Sequence, residues 1–245
     1  GGLRQLRAPM HTCRDGGLDR LQRVSAQSPP MSCALPTSAA LPSGISEENS
    51  ESSSSRSQHS KLLALSLRKI SAEGPRALPS EPAQTCIQEC LFSVESFAPQ
   101  GLAMVCSALA KLRASAASQT ASCNAASRVL ESFALTAAMN LRNRESRQGF
   151  NEQDVSNIAN ALARARQHCT PFFEQLSLFL QDQLPLEKFL TTQGLANVLN
   201  AYAALGLPVP RSLQGAVASA AAAQASAFSA PQLANVLNSF ARLQL

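Results

Sequence analysis

Leu190-Thr191-Thr192-Gln193-Gly194-Leu195-Ala196-Asn197-Val198-Leu199-Asn200-Ala201-Tyr202 returns at Phe228–Phe240, where LANVLNAY becomes LANVLNSF. The same phrase stands at Phe150–Leu162 (VSNIANAL) and, more weakly, at Phe97–Leu109 (LAMVCSAL). Aligning Asn157, Asn197 and Asn235 gives spacings of 40 and 38 residues, and Met104 holds the same place 53 residues before Asn157. A period in this range marks a supersecondary unit that cannot bury its apolar face alone and must stack on its neighbours. The expected fold is all-α: an α-solenoid of stacked helical hairpins behind an irregular N-terminal extension.

Within a unit the residues have fixed jobs. With the Asn157/Asn197/Asn235 column as zero, apolar residues fall at −2, +1, +2, +5 and mostly +8, one continuous stripe at 100° per residue. In the third copy these are Leu195, Val198, Leu199, Tyr202 and Leu205. Small residues at −1, +4 and +6 (Ser156, Ala161, Ala163; Ala196, Ala201, Ala203; Ala234, Ser239, Ala241) flank the stripe and let helices approach closely. Each copy opens with a large apolar residue (Phe97, Phe150, Leu190, Phe228) before a cap position (Ala98, Asn151, Thr191, Ser229). Three of those four side chains can accept from orphan N–H groups. The leading apolar residue is set to pack on Leu102, Val155, Leu195 or Leu233 as a hydrophobic staple. A second helix follows each first one, over 126–146, from Pro171 with Thr170 as its cap, and from Pro210. CIQECLFSVESF at 86–97 and SKLLALSLRKI at 60–70 are candidates for an earlier, degenerate hairpin.

Composition divides the chain. Residues 1–59 are rich in Ser, Pro and Gly and have too few large apolar side chains for a core. They carry Arg4, Arg7, Arg14, Arg20 and Arg23 against Asp15 and Asp19, the bias of an organelle transit segment, and the chain opens on Gly rather than Met. Charged residues make up 15% against about 25% in average chains, which points to a surface partly covered by partners. The net charge of +5 permits an anionic partner. No acidic residue follows Glu187. The seven cysteines are odd in number and lack a C-x-x-C pair, so they read as reduced thiols acting as small hydrophobes, with no metal site expected. No apolar run is long enough for a membrane span. No phosphate loop, paired carboxylates or nucleophile–base constellation stands out, so the expectation is a non-enzymatic protein without a cofactor.

Opposite the apolar stripe, columns −4, 0, +3 and +7 fall on one polar face. They read Gln100, Met104, Ser107, Lys111; Gln153, Asn157, Asn160, Arg164; Gln193, Asn197, Asn200, Ala204; and Pro231, Asn235, Asn238, Arg242. Stacked, they would make a ribbon of amides and cations, amides for base edges and cations for phosphates. The constant residues Gln153, Asn157, Gln193, Asn197 and Asn235 fit either a scaffold or an RNA-facing stripe, because a residue repeated in every copy cannot encode a changing sequence. Asn160, Asn200, Asn238, Lys111, Arg164 and Arg242 are candidate ligand contacts, together with the clusters Arg142, Arg144, Arg147 and Arg164, Arg166. With no Trp and one Tyr, stacking platforms for single-strand reading are nearly absent.

The phrase F-[STN]-x-x-Q-x-L-A-N-x-L-x-A-[FY]-A-x-L-G, carried by Phe150–Arg166, Leu190–Gly206 and Phe228–Leu243, resembles the octotricopeptide repeats of algal organelle proteins and the heptatricopeptide repeats of apicomplexan parasites. The resemblance covers roughly residues 97–245 and implies a paired-helix solenoid that binds RNA in mitochondria or plastids. Some such proteins are built into organellar ribosomes, so it also implies a polar stripe facing ribosomal RNA or another organellar RNA. The chain departs from longer members in its few repeats and in lacking their C-terminal nuclease-like module. The expected organisation is an extension (1–59), a degenerate hairpin (60–97), repeats at 98–149, 150–189 and 190–227, and an incomplete repeat at 228–245. The apolar side of that last helix, Leu233, Val236, Leu237 and Phe240, then lacks a second helix and is expected to dock on neighbouring ribosomal proteins. The leading expectation is a structural subunit of a mitochondrial ribosome in the matrix, with a plastid as the other location. The rival readings are a protein-binding adaptor, whose amide ribbon holds a peptide, and a free RNA-maturation factor.

Overall fold

The computed structural model describes residues 48–113 and 121–245. The Arg-rich segment expected to be a targeting sequence lies outside the described residues. The described part is helical, without a strand. In chain order it contains α1 (Glu48–Ala72), α2 (Glu81–Phe92), α3 (Pro99–Arg113), α4 (Ala121–Arg142), α5 (Arg144–Arg147), α6 (Glu152–Ala165), α7 (Thr170–Gln181), α8 (Leu186–Phe189), α9 (Thr192–Leu205), α10 (Arg211–Ala223) and α11 (Ala230–Leu243). The repeated phrase forms α3, α6, α9 and α11. The most extensive packing joins these first helices in sequence order, α1 on α3, α3 on α6, α6 on α9 and α9 on α11. The second helices make their own series, α2 on α4, α4 on α7 and α7 on α10.

The repeated spelling produces repeated burial. Residues 150–169 and 190–209 have the same degree of exposure position by position. The apolar columns Val155, Ile158, Ala159, Leu162 and Leu195, Val198, Leu199, Tyr202 are buried, and so are the small residues beside them. Ser156 is among these, buried at a place where a larger side chain would push α6 from its neighbour. The staple residues Phe97, Phe150 and Leu190 are buried as the pattern requires, whereas Phe228 is half-buried.

Caps fix where each helix starts and stops. The Asn151 side chain accepts from the Asp154 N–H at 2.9 Å while the Asp154 carboxylate accepts from the Asn151 N–H at 3.3 Å, a reciprocal capping box. Thr191 Oγ1 accepts from the Gly194 N–H at 3.1 Å, and the Ser229 N–H donates to Gln232 Oε1 at 2.9 Å. At the other end Arg166, Gly206 and Gln244 occupy the same column and all adopt the left-handed conformation (φ 50°, 64° and 57°). The following N–H then reaches back to close the helix, Gln167 to the Leu162 carbonyl and Leu207 to the Tyr202 carbonyl, both at 2.9 Å.

Several expectations shift. The boundary at residue 59 moves, because α1 already begins at Glu48; once the packed segment from Ser60 nucleates a helix, each residue added upstream gains a hydrogen bond. Thr170 is the first residue of α7 rather than its cap, which is Cys169. A short helical turn precedes every staple residue: Val94–Ser96 before Phe97, α5 before Phe150, α8 before Leu190 and Ala225–Ala227 before Phe228. These turns are too short to leave a periodicity. Finally, Val236 is buried against the rest of the fold and is not available at the expected docking end. There Leu233 and Leu237 are exposed and Phe240 is half-buried.

Candidate nucleic-acid interface

The polar columns gather into two adjoining grooves. The first, of about 320 Å³, is lined by Arg68 and Ser71 of α1, by Gln100, Met104, Ser107 and Lys111 of α3, and by Gln153, Asp154 and Asn157 of α6. The second, of about 240 Å³, lies between α6 and α9 and is lined by Glu152, Gln153, Ser156, Asn157, Thr191, Gln193 and Asn197. Gln153 and Asn157 belong to both, so one polar surface runs from α1 to α9. In α3, α6 and α9 the −4 column is exposed, the 0 and +3 columns are half-buried and the +7 column is exposed. This grading follows from helix geometry, since the columns next to the buried stripe sink between neighbouring first helices.

The constant amides are not a ladder. Among the described residues the side chains of Asn157, Asn197 and Asn235 make no hydrogen bond to a neighbouring helix, and none of their polar atoms is buried without a partner. The helices are instead registered by packing and by cap contacts. One such contact crosses between units, where the Thr191 hydroxyl donates to Glu152 Oε1 at 2.7 Å. Glu152 also explains Gly194: a Cβ there would stand 1.9 Å from the same oxygen.

The cations fall into three groups. Arg68 and Lys111 point into the first groove. Arg164, Arg166 and Arg242 are exposed at the C-terminal ends of α6 and α11, and Asn160 and Asn200 are half-buried on the approach to that edge. Arg142 and Arg144 are exposed but belong to the second-helix series and do not line either groove. Arg147 is engaged elsewhere. Its guanidinium pairs with Asp182, donates to the Leu178 carbonyl at 3.3 Å and lies 5.2 Å from the centre of the Phe179 ring. It therefore closes the C-terminal end of α7, an internal task that removes it from the set of candidate phosphate contacts. On α11, Asn235 and Asn238 are exposed and line neither groove, because no further first helix packs beside them among the described residues.

Sequence reasoning missed Arg68. Helix α1 lacks the repeat phrase, and the only available signal was the cationic end of SKLLALSLRKI. It also missed the acids in the grooves. Asp154 is buried at the head of α6, and burial raises its carboxyl above the usual carboxylate range while the Asn151 N–H works against that shift. Glu152 and Asp154 place negative charge at the N-terminal edge of the surface, so its positive character belongs to the opposite edge.

Nothing in the site has the makings of a metal centre: among the described residues no three His, Cys, Asp or Glu side chains are grouped to hold an ion. Among the described residues no cysteine is joined in a disulfide. No described helix is long and apolar enough to cross a membrane. No family model and no curated protein matches the chain.

Proposed function

We propose that the protein is a non-enzymatic RNA-binding α-solenoid whose first helices present a polar wall to RNA. The observation that carries this reading is the joining of equivalent columns from α3, α6 and α9, with Arg68 and Ser71 of α1 beside them, into one groove surface with accessible, unpaired amides. Amides supply donors and acceptors to base and sugar, while Arg68, Lys111 and Arg164 supply phosphate contacts. Shape and backbone dominate this recognition, because the amides repeat and the grooves contain no aromatic side chain for stacking.

The serial packing of first helices on first helices supports the solenoid, and the likeness of the phrase to octotricopeptide and heptatricopeptide repeats supports an organellar RNA as the ligand. Within that class we place the chain in a mitochondrial ribosome, contacting ribosomal RNA through the polar wall and neighbouring subunits through the exposed Leu233 and Leu237 of α11. Sedimentation of organelle lysate with detection of this chain tests the assignment. Co-migration with a ribosomal subunit that is lost on nuclease treatment is expected; migration at the top of the gradient, unchanged by nuclease, refutes it.

A further inference from the structure

The second helices carry a surface that the polar wall does not use. Phe92 of α2, Leu135 of α4, Leu178 of α7 and Ala222 of α10 share one register. The residue five positions before each (Ile87, Leu130, Phe173, Val217) is buried, as is the residue two positions before. The row itself faces solvent, with Phe92 88%, Leu135 39% and Leu178 52% exposed. Because α2 packs on α4 and α4 on α7, these side chains form a line across the helices. An apolar line of this kind is not what a free surface tends to show.

Two features say what covers it. One turn before Leu135 and Leu178 on the same helix faces stand Glu131 and Glu174, both exposed and, among the described residues, without an ion-pair partner. The cations of α4 on this side, Arg128 and Arg142, lie two turns from Leu135 in either direction, and Arg147, which reaches the Leu178 carbonyl, is already paired with Asp182. Beside Leu178 opens an apolar depression of about 530 Å³, walled by Phe173, Tyr202, Leu207 and Pro208 with Glu174 at its rim. A phosphate backbone would meet unpaired carboxylates here, which argues against nucleic acid.

We propose that this face docks an amphipathic helix of a partner protein. Its apolar side lies along Phe92, Leu135 and Leu178, one large apolar side chain fills the depression, and a Lys/Arg edge pairs with Glu131 and Glu174. Two interhelix steps of ~8–10 Å each separate Phe92 from Leu178, a span covered by ~11–13 residues of α-helix. The proposal does not depend on RNA binding, since its surface shares no residue with the two polar grooves.

The test uses the full chain and two labelled helical peptides of roughly 16 residues, with Leu and Phe along one side and either Lys or Glu along one edge, read by fluorescence anisotropy. The Lys-edged peptide should bind at least about tenfold more tightly than the Glu-edged one. L135E/L178E should lose that binding by a similar factor, and E131K/E174K should invert the preference. All four substitutions are at exposed positions, and melting followed by circular dichroism checks that the variants fold. Failure of both peptides to bind overturns the proposal, as does a preference that E131K/E174K leaves uninverted. Loss of RNA affinity in L135E/L178E, with the peptide unaffected, assigns the face to nucleic acid and overturns it equally.

Discussion

Tyr202 is the single tyrosine of the chain and occupies the +5 apolar column, where the other copies have Leu109, Leu162 and Phe240. Its ring packs edge-on against Phe173, and its hydroxyl meets Ser177 Oγ at 2.7 Å and donates to the Phe173 carbonyl at 3.2 Å. Burial pushes the phenol up to about 12 from an ordinary 10.0, with the Ser177 hydrogen bond pulling the other way. The folded state therefore holds the proton more tightly than the unfolded one. The corresponding stability is intact below pH 10 and is lost as pH rises toward 12, by about 2–3 kcal/mol. Urea unfolding across that range should show the loss in the parent chain and a shallower one in Tyr202→Phe. Arg147 makes the opposite lesson about cations. As sequence it was one of three arginines in NLRNRESR; its role depends on Asp182, a partner 35 residues away that no local pattern links to it. Arg147→Ala should cost about 1 kcal/mol of stability in denaturant melts and leave RNA affinity unchanged. Arg164→Ala should do the reverse.

At the scale of the element, the burial of a first helix depends on what stands beside it. Leu199 on α9 and Leu237 on α11 hold the same column, yet Leu199 is 1% exposed and Leu237 58%. Truncation of Leu199 to Ala is expected to cost about 2–5 kcal/mol, as a buried cavity would. The same change at Leu237 should stay within about 0.5 kcal/mol, as at other exposed sites. Equal losses in chemical denaturation would mean that α11 is covered in solution. The helices of the repeat were readable from the sequence because stripe, cap and staple all recur at one spacing. The start of α1 was not, since Ser-rich residues upstream of Ser60 carry no apolar period and are helical by continuation from the packed part. The short turns before Phe97, Phe150, Leu190 and Phe228 escaped for a related reason: three or four residues cannot display a period of 3.6. The columns of the polar face were legible, but their depth was not. That Asn157 and Asn197 are half-buried while Gln153 and Gln193 are exposed depends on how closely neighbouring helices approach.

For the whole molecule, the proposed RNA wall has a measurable electrostatic signature. Binding should weaken steeply with salt, each phosphate contact adding ~0.7 to the slope of log affinity against log salt for a single strand. Replacing Arg68, Lys111 and Arg164 together should lower that slope by roughly 2. A flat response in the parent chain would favour a peptide in the groove instead. A different property follows from the matched exposure of residues 150–169 and 190–209. The surface that α6 offers to α9 is built like the one α9 offers to α11, so the seam between units is interchangeable. Removal of residues 150–189 would bring α3 against α9 across matched columns, and duplication of the same segment would insert another step without disturbing either end. The reach of the chain is then expected to change in whole steps of 40 or 38 residues, the spacings of Asn157, Asn197 and Asn235, rather than residue by residue.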